Sequence, residues 1–175
     1  PVLKADAEIR ARFGLGPRLG GQHQPWYLYA AGTVDTAPRG KCQMKFGFHV
    51  TDLPASCRLG IERPEDFTIT VNGKTTGPAD GCWVDEDIRT VDITGLLVAG
   101  DNELLLTMDY RPDMELEDLY LIGDFGAALL SGERPAPGGM TMVAPPRRLA
   151  LGSWIGQGLD FYGGSVRYRM SVRKA

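Results

Sequence analysis

The sequence contains no apolar run of about 20 residues, the length a helix needs to cross a bilayer. It also lacks an excess of basic residues, since 19 Lys and Arg stand against 22 Asp and Glu, a formal net charge of −3. Proteins that bind the phosphate backbone of nucleic acids usually carry a basic stripe. We therefore expect neither a membrane partner nor a nucleic-acid partner.

Fingerprints of common enzymes are also missing. The sequence has no G-x-S-x-G nucleophile elbow, and its two histidines, His23 and His49, have no recognisable triad spacing. The glycines at Phe13-Gly14-Leu15-Gly16 lack the preceding strand and the third glycine of a dinucleotide-binding loop. Neither nucleophilic catalysis nor nucleotide binding is indicated.

Cysteine is scarce. Cys42, Cys57 and Cys82 contain no C-x-x-C spacing, and the three cannot all pair with one another. With only two histidines, the sequence does not indicate a Cys/His zinc site. We expect buried or half-buried thiols, and one disulfide plus a free thiol is the alternative in an exported protein. The cysteines leave the cellular compartment unknown.

Glycine and proline are abundant, at 23 and 12 of 175 residues, which favours many turns between short strands. Residues 41–51 alternate between apolar and polar side chains, as a half-buried strand does. Residues 67–71 do the same and run into Asn72-Gly73, the best dipeptide for a tight hairpin. Strands are also predicted at 90–93 and 103–110, with a turn at 100–102 between them.

Three more strands complete the prediction. Cys57, Leu59 and Ile61 share the inward face of one, and Tyr120, Ile122 and Phe125 mark another. Residues 164–173 form a closing strand, while the Pro/Gly-rich stretch 131–147 is predicted as a long surface loop or partly extended edge. About eight short strands without βαβ alternation indicate an all-β, antiparallel two-sheet sandwich.

The first 25 residues are predicted to be a short helix followed by a loop. Ala5, Ile9 and Phe13 form one helical stripe ending at Gly14, and Asp6/Arg10 and Glu8/Arg12 are spaced as helical ion pairs. We expect 1–25 to be an N-terminal linker with this helix and 26–175 to be one β-sandwich domain. Pro25-Trp26-Tyr27-Leu28-Tyr29 is expected to begin the β-rich part of the chain. Because the first residue is Pro1 rather than Met, we expect a piece of a longer protein.

Two groups of carboxylates are candidates for chemistry. One surrounds Trp83, at Asp80 and Asp85-Glu86-Asp87, and the other lies within residues 109–118, at Asp109, Asp113, Glu115, Glu117 and Asp118. A carboxylate pair across a cleft is what glycoside hydrolysis requires. One alternative is that these carboxylates are solvated acids of loops. The other is that they bind a calcium ion, which prefers oxygen ligands.

Aromatic residues offer a second candidate chemistry, because sugar rings stack on flat side chains. Trp26, Trp83 and Trp154, with Tyr27 and Tyr162, are available, although a sandwich also needs large residues for its core. Trp83 is the best ligand candidate because its neighbours are Gly81, Asp80 and Asp85 rather than an apolar run. His49 lies on the polar face of its strand.

Several segments resemble a known family. The pattern Ile69-Thr70-Val71-Asn72-Gly73-Lys74, then Val91-Asp92-Ile93-Thr94, then Leu97 and Gly100-Asp101-Asn102-Glu103-Leu104 resembles the sugar-binding jelly-roll domain of family-two glycoside hydrolases and the wider galactose-binding-like fold. Flanking segments resemble large bacterial glycoside hydrolase-like proteins, some similar to α-L-rhamnosidases; these segments are 61–65, 83–85, 117–126, 152–154 and 157–164. Ser153 stands where that pattern has an acidic residue.

The resemblance implies a jelly-roll accessory domain of a bacterial carbohydrate-active enzyme, non-catalytic itself and packed beside a catalytic domain. Its partners would be carbohydrate and that domain, with export to the periplasm or beyond if the parent acts on polysaccharide. The predicted ligand-binding residues are Trp83, Asp85, Asp87, His49 and Trp154. No cofactor is expected apart from the calcium alternative. A purely structural interdomain module and an independent glycosidase are the other hypotheses.

Overall fold

The computed structural model describes residues 2–18, 25–129 and 139–171, and within them the protein is mostly β-structure in two sheets. Two helices precede the strands: α1 (Val2–Arg12) and α2 (Pro25–Ala30). The strands are β1 (Gly40–Val50), β2 (Cys57–Glu62), β3 (Thr68–Val71), β4 (Lys74–Thr75), β5 (Gly81–Trp83), β6 (Asp85–Asp92), β7 (Gly100–Tyr110), β8 (Tyr120–Gly123), β9 (Gly126–Leu129) and β10 (Met140–Val143). Predictions for His23, for 131–138 and for Val172 and Arg173 lie outside the described residues.

The strands form a six-stranded sheet in the order β4-β3-β7-β1-β10-β9 and a four-stranded sheet in the order β5-β6-β2-β8. The all-β, two-sheet prediction is therefore confirmed. The expectation of purely antiparallel pairing is wrong, because β1 and β10 run parallel through His49↔Thr141 and Val50↔Met142. Ala127 and Leu159 also form an isolated parallel bridge. The prediction of a loop or edge at 131–147 is also wrong for β10, which lies between β1 and β9 and buries Met142 completely.

The core lies between the sheets and follows the predicted alternation. On β1, Met44, Phe48 and Val50 are buried while Lys41, Gln43 and Lys45 are exposed. On β7 and β2 the inward rows are fully covered; they consist of Leu104, Leu106, Met108 and Tyr110, and of Cys57, Leu59 and Ile61. Burying each such side chain stabilises the fold by about 1.5–3 kcal/mol, which is why these two faces specify the register.

The predicted Asn72-Gly73 hairpin is present, with left-handed φ angles of 51° and 75° as a type I′ turn needs. The Asn72 side chain also joins neighbouring segments, since its Oδ1 accepts from the Glu103 amide at 2.9 Å and its Nδ2 donates to Asn102 Oδ1 at 2.8 Å. The turn predicted at 100–102 is wrong, because β7 already begins at Gly100. Asn102 points inward, bonds the Val98 backbone and acts as a buried clamp.

The predicted N-terminal helix is confirmed as α1, and it packs on the sandwich. Phe13 stacks on Tyr110 with ring centroids 5.8 Å apart, and the Tyr110 hydroxyl donates to Asp6 Oδ1 at 2.9 Å. The predicted Asp6/Arg10 pairing is wrong, because the Asp6 carboxylate is bonded by Arg18 Nε at 2.8 Å. The predicted β-start at Pro25 is wrong as well, because Pro25–Ala30 is helical and strands begin at Gly40.

The closing strand predicted at 164–173 is wrong over its described part, residues 164–171. A strand needs a neighbour for its backbone groups, and no described residue pairs with this segment. Tyr168 instead accepts a hydrogen bond from Trp154 Nε1 at 3.0 Å and donates to the Ala150 carbonyl at 3.2 Å. Met170, predicted to point inward, is 67% exposed.

Candidate functional site

The outer face of the four-stranded sheet carries a pair of aromatic side chains. The rings of Trp83 on β5 and Tyr120 on β8 lie 5.3 Å apart at an interplanar angle of 51°. Both remain open to solvent, with 38% and 39% of their surface exposed. The sequence placed Trp83 among the candidates, but Tyr120 only as a strand residue. The two residues are 37 positions apart, and only the sheet brings them together.

Gly60 forms the floor of this aromatic surface. Its neighbours Leu59 and Ile61 face the core, so position 60 faces outward. A Cβ there would lie 3.0 Å from Ile122 Cδ1 and 3.3 Å from both Ile88 Cγ2 and Tyr120 Cβ. The missing side chain therefore lets Ile88 of β6 and Tyr120 and Ile122 of β8 close over β2. These three side chains, with Trp83 packed against Tyr120, form the aromatic surface.

Polar groups border this surface on the side of Arg58. The Arg58 guanidinium bonds the Asp80 carboxylate and donates to Thr90 Oγ1 at 3.1 Å. A Cβ at Gly81 would lie 3.0 Å from Thr90 Oγ1 and 3.8 Å from Arg58 Nη2, so this cluster is on the same outer face. Asp80 was a candidate from the sequence, whereas Arg58 was not, because its strand position gave no sign of an aromatic neighbour.

The acidic run beside Trp83 is not the loop that the sequence indicated. Asp85, Glu86 and Asp87 begin strand β6, and the connection from β5 is the single residue Val84. Val84 has φ 63° and is 89% exposed. A β-branched residue is rarely left-handed, and such a conformation costs on the order of 1–3 kcal/mol. The tight hairpin thus holds Trp83 at the edge of the sheet at the expense of local strain.

The candidates Trp83 and Asp87 do not share a face. Strand alternation puts Ile88 with the aromatic surface and Asp87 on the opposite side, in phase with the buried Val91. The Asp85 carboxylate accepts a hydrogen bond from the Asp87 amide at 3.0 Å. The geometry therefore separates the stacking residue from at least one of its proposed hydroxyl acceptors, and it offers Arg58 and Asp80 in their place.

Residues from both acidic groups lie near Glu62: Asp85 and Asp87 come from the first group and Glu115 from the second. Partial burial, together with the charges of Asp87, Glu115 and Asp85, raises the pKa of Glu62. Burial and the charges of Glu115 and Glu62 likewise raise the pKa of Glu117. Among the described residues, no group of three or more His, Cys, Asp or Glu is placed to hold a metal ion.

Asp113 of the second group has a structural partner. It is 1% exposed and receives hydrogen bonds from Arg111 Nε at 2.9 Å and from the Tyr29 hydroxyl at 2.7 Å. Burial alone would raise the pKa of Asp113, but the bonds from Arg111 and Tyr29 outweigh it and lower that pKa. Asp113 is therefore a buried ion-pair member rather than a solvated loop acid.

The remaining candidates lie elsewhere. His49 is on β1 of the six-stranded sheet, where its Nδ1 lies 2.8 Å from Asp101 Oδ1. Trp154 packs beside Tyr162 with ring centroids 6.0 Å apart. For Trp26 the structure describes only its place in helix α2. Trp83, His49 and Trp154 are thus on three separate parts of the fold.

The three cysteines are free thiols with different environments. Cys57 is fully buried. Its pKa is raised to about 12, mainly by burial and to a smaller extent by the negative charges of Asp92 and Asp124. Cys42 is half-buried, which matches the expectation, whereas Cys82 on edge strand β5 is exposed and does not.

Comparisons with protein-family models, with curated proteins and with solved structures each found no match. The galactose-binding-like resemblance therefore stays a prediction. Among the described helices, none combines the length and the apolar composition needed to cross a membrane.

Proposed function

We propose that this chain is a non-catalytic, carbohydrate-contacting β-sandwich domain of the galactose-binding jelly-roll type, an accessory to a bacterial glycoside hydrolase. The observation that carries the proposal is the exposed pair of Trp83 and Tyr120 on one sheet face. Sugar rings present apolar C–H faces that stack on aromatic rings and hydroxyls that need polar partners.

The surroundings of the pair support this function. Ile88 and Ile122 widen the apolar surface, and Arg58 with Asp80 offers donors and acceptors at its border. The strained Val84 turn holds Trp83 in place, and retained strain is typical of functional sites. In this proposal Trp83 and Tyr120 stack on the ring, while Arg58 and Asp80 bond hydroxyls.

Calorimetric titration with monosaccharides and with plant or microbial oligosaccharides tests the proposal. Trp83→Ala should weaken binding about tenfold or more, a loss of about 1.4 kcal/mol. Phe161→Ala is the matched control, because Phe161 is 56% exposed but lies outside the aromatic surface. Binding that is unchanged in Trp83→Ala would place the sugar elsewhere, and no binding at millimolar concentration would remove the ligand part of the proposal.

A structural interdomain module is the second candidate, favoured by the apolar C-terminal segment. Side chains exposed there include Leu151 at 71%, Ile155 at 73% and Met170 at 67%. Contiguous exposed apolar patches mark docking surfaces, and in this second candidate function these side chains contribute to one. Joining the chain to a neighbouring domain of its parent should then raise its midpoint of denaturation, and no change in the midpoint would exclude this role.

A further inference from the structure

We infer that the free edge of β1 binds an extended peptide of another protein, one that alternates apolar and acidic residues. The site is separate from the aromatic surface of the four-stranded sheet and does not depend on sugar binding.

The backbone of β1 is paired on one side only over most of its length. The Asn72 amide donates to the Glu103 carbonyl at 2.9 Å, so the backbone groups of Glu103 face β3 and those of Leu104 face β1. Leu104 pairs with Phe46, which means that even-numbered residues of β1 bond β7 and odd-numbered ones face away. Among the described residues, β10 is the only strand that pairs with β1 on that side, and it does so only at His49 and Val50.

Lys41, Gln43, Lys45 and Gly47 therefore present a row of amide and carbonyl groups with no backbone partner among the described residues. Such an edge is the template on which an extended peptide adds as a further strand. The main-chain bonds supply affinity in this mode, and side-chain pockets supply specificity.

An apolar groove runs along the same edge, between β1 and helix α1. Its volume of about 810 Å³ is in the range of ligand-binding sites. The apolar part of its lining comes from Val2, Ile9 and Phe13 of α1 and from Cys42, Met44 and Phe46 of β1. The polar part of the lining includes Glu8, Arg12 and Asp118, together with Lys41, Gln43 and Lys45 of β1. One face of an added strand would lie against this lining, so its alternate residues should be apolar.

The other face of the added strand would lie beside the outward side chains of Lys41 and Lys45, which are 81% and 68% exposed. These lysines already face Asp109 and Glu103 on β7, so an acidic strand on their free side extends an alternation of charge across the sheet. Edge-to-edge pairing of two copies would set lysines against lysines. The alternating segment 164–171 of a second copy, if it added as a strand, would place Arg167 and Arg169 beside the lysines, with the same repulsion.

The test uses the full chain and three synthetic peptides of about seven residues, the length of the free edge. One alternates Val and Glu, one alternates Val and Lys, and one has the Val-Glu composition in two blocks. Fluorescence anisotropy should show the alternating Val-Glu peptide binding about tenfold tighter than either of the others. Equal affinities would overturn the inference.

Amide hydrogen exchange identifies the edge. In the free protein the Gln43 and Lys45 amides should exchange faster than the Met44 amide, which bonds β7. The Val-Glu peptide should slow the Gln43 and Lys45 amides and leave Met44 unchanged. Protection of Gln43 and Lys45 without peptide would show that the edge is already covered, and association of two copies in sedimentation without peptide binding would assign it to a dimer. Either result overturns the inference.

Gln43→Pro removes one outward amide without removing a backbone bond to β7, so it should fold and its affinity for the peptide should fall about tenfold. It also loses the exposed bond from Gln43 Nε2 to Thr107 Oγ1 at 3.2 Å, which the control below loses equally. Gln43→Thr is the control and should bind normally. If the proline variant fails to fold, Lys41→Glu with Lys45→Glu replaces it, and this variant should prefer the Val-Lys peptide. An unchanged preference would contradict the proposed contacts.

Discussion

Asn102 offers a direct way to test what joins the hairpin to the long strand β7. Its side chain is 4% exposed and takes part in four hydrogen bonds. Oδ1 accepts from Asn72 Nδ2 at 2.8 Å and from the Val98 amide at 2.9 Å. Nδ2 donates to the Val98 carbonyl at 2.7 Å and to the Gly100 carbonyl at 3.0 Å.

Asn102→Ala removes all four bonds and leaves the amide and carbonyl of Val98 without this partner. A hydrogen bond contributes about 0.5–1.5 kcal/mol net, so the summed loss is about 2–6 kcal/mol. Because domains of this size are stable by about 5–15 kcal/mol, the change should be large and should lower the denaturation midpoint visibly.

Urea denaturation followed by far-ultraviolet circular dichroism measures the effect. The adjacent Asp101→Ala is the matched control, since that side chain is 96% exposed and should change stability by about 0.5 kcal/mol or less. If Asn102→Ala lowers the free energy of unfolding no more than the control does, Asn102 does not hold the Asn72-Gly73 hairpin and Val98 to β7.

Three further outcomes are expected. Val84→Gly should raise the free energy of unfolding by about 1 kcal/mol, because glycine adopts the left-handed φ without strain; urea denaturation would show no gain if the turn is relaxed. Glu62→Gln should be more stable than the wild type above the raised folded pKa, because the ionised carboxylate is partly buried and lies among other acids, and the difference should vanish below the unfolded pKa of about 4.3. A stability difference that is independent of pH would refute this cause. A thiol reagent should modify exposed Cys82 first, while buried Cys57 should react only on unfolding; mass spectrometry of partly labelled protein would reveal the reverse order.

The parts of the fold that were predictable are those in which local pattern and burial agree. Strand β7 alternates along its whole length, and each of its inward residues meets a partner on β1. The Asn72-Gly73 turn was predictable because its conformation is a property of two adjacent residues. The segment at 164–171 has the same alternation, yet it is no strand, because alternation describes a surface and cannot supply the neighbouring strand.

The aromatic surface could be predicted only in part, for a similar reason. Trp83 has an unusual polar sequence context, which singled it out. Its partner Tyr120 and the floor at Gly60 come from other strands, and their sequence neighbours show only ordinary strand pattern. Asp87 was grouped with Trp83 because the two are near in sequence, whereas strand alternation turns it to the other face.

Sugar contact at the outer face of the four-stranded sheet is the central proposal, and nuclear magnetic resonance titration tests it most directly. An oligosaccharide that binds should shift the Ile88 and Ile122 methyl signals and the Trp83 indole signal together, and Trp83→Ala should need about tenfold more sugar for the same methyl shifts. Shifts confined to the surroundings of His49 or Trp154, or no shift at millimolar sugar, would contradict the proposal.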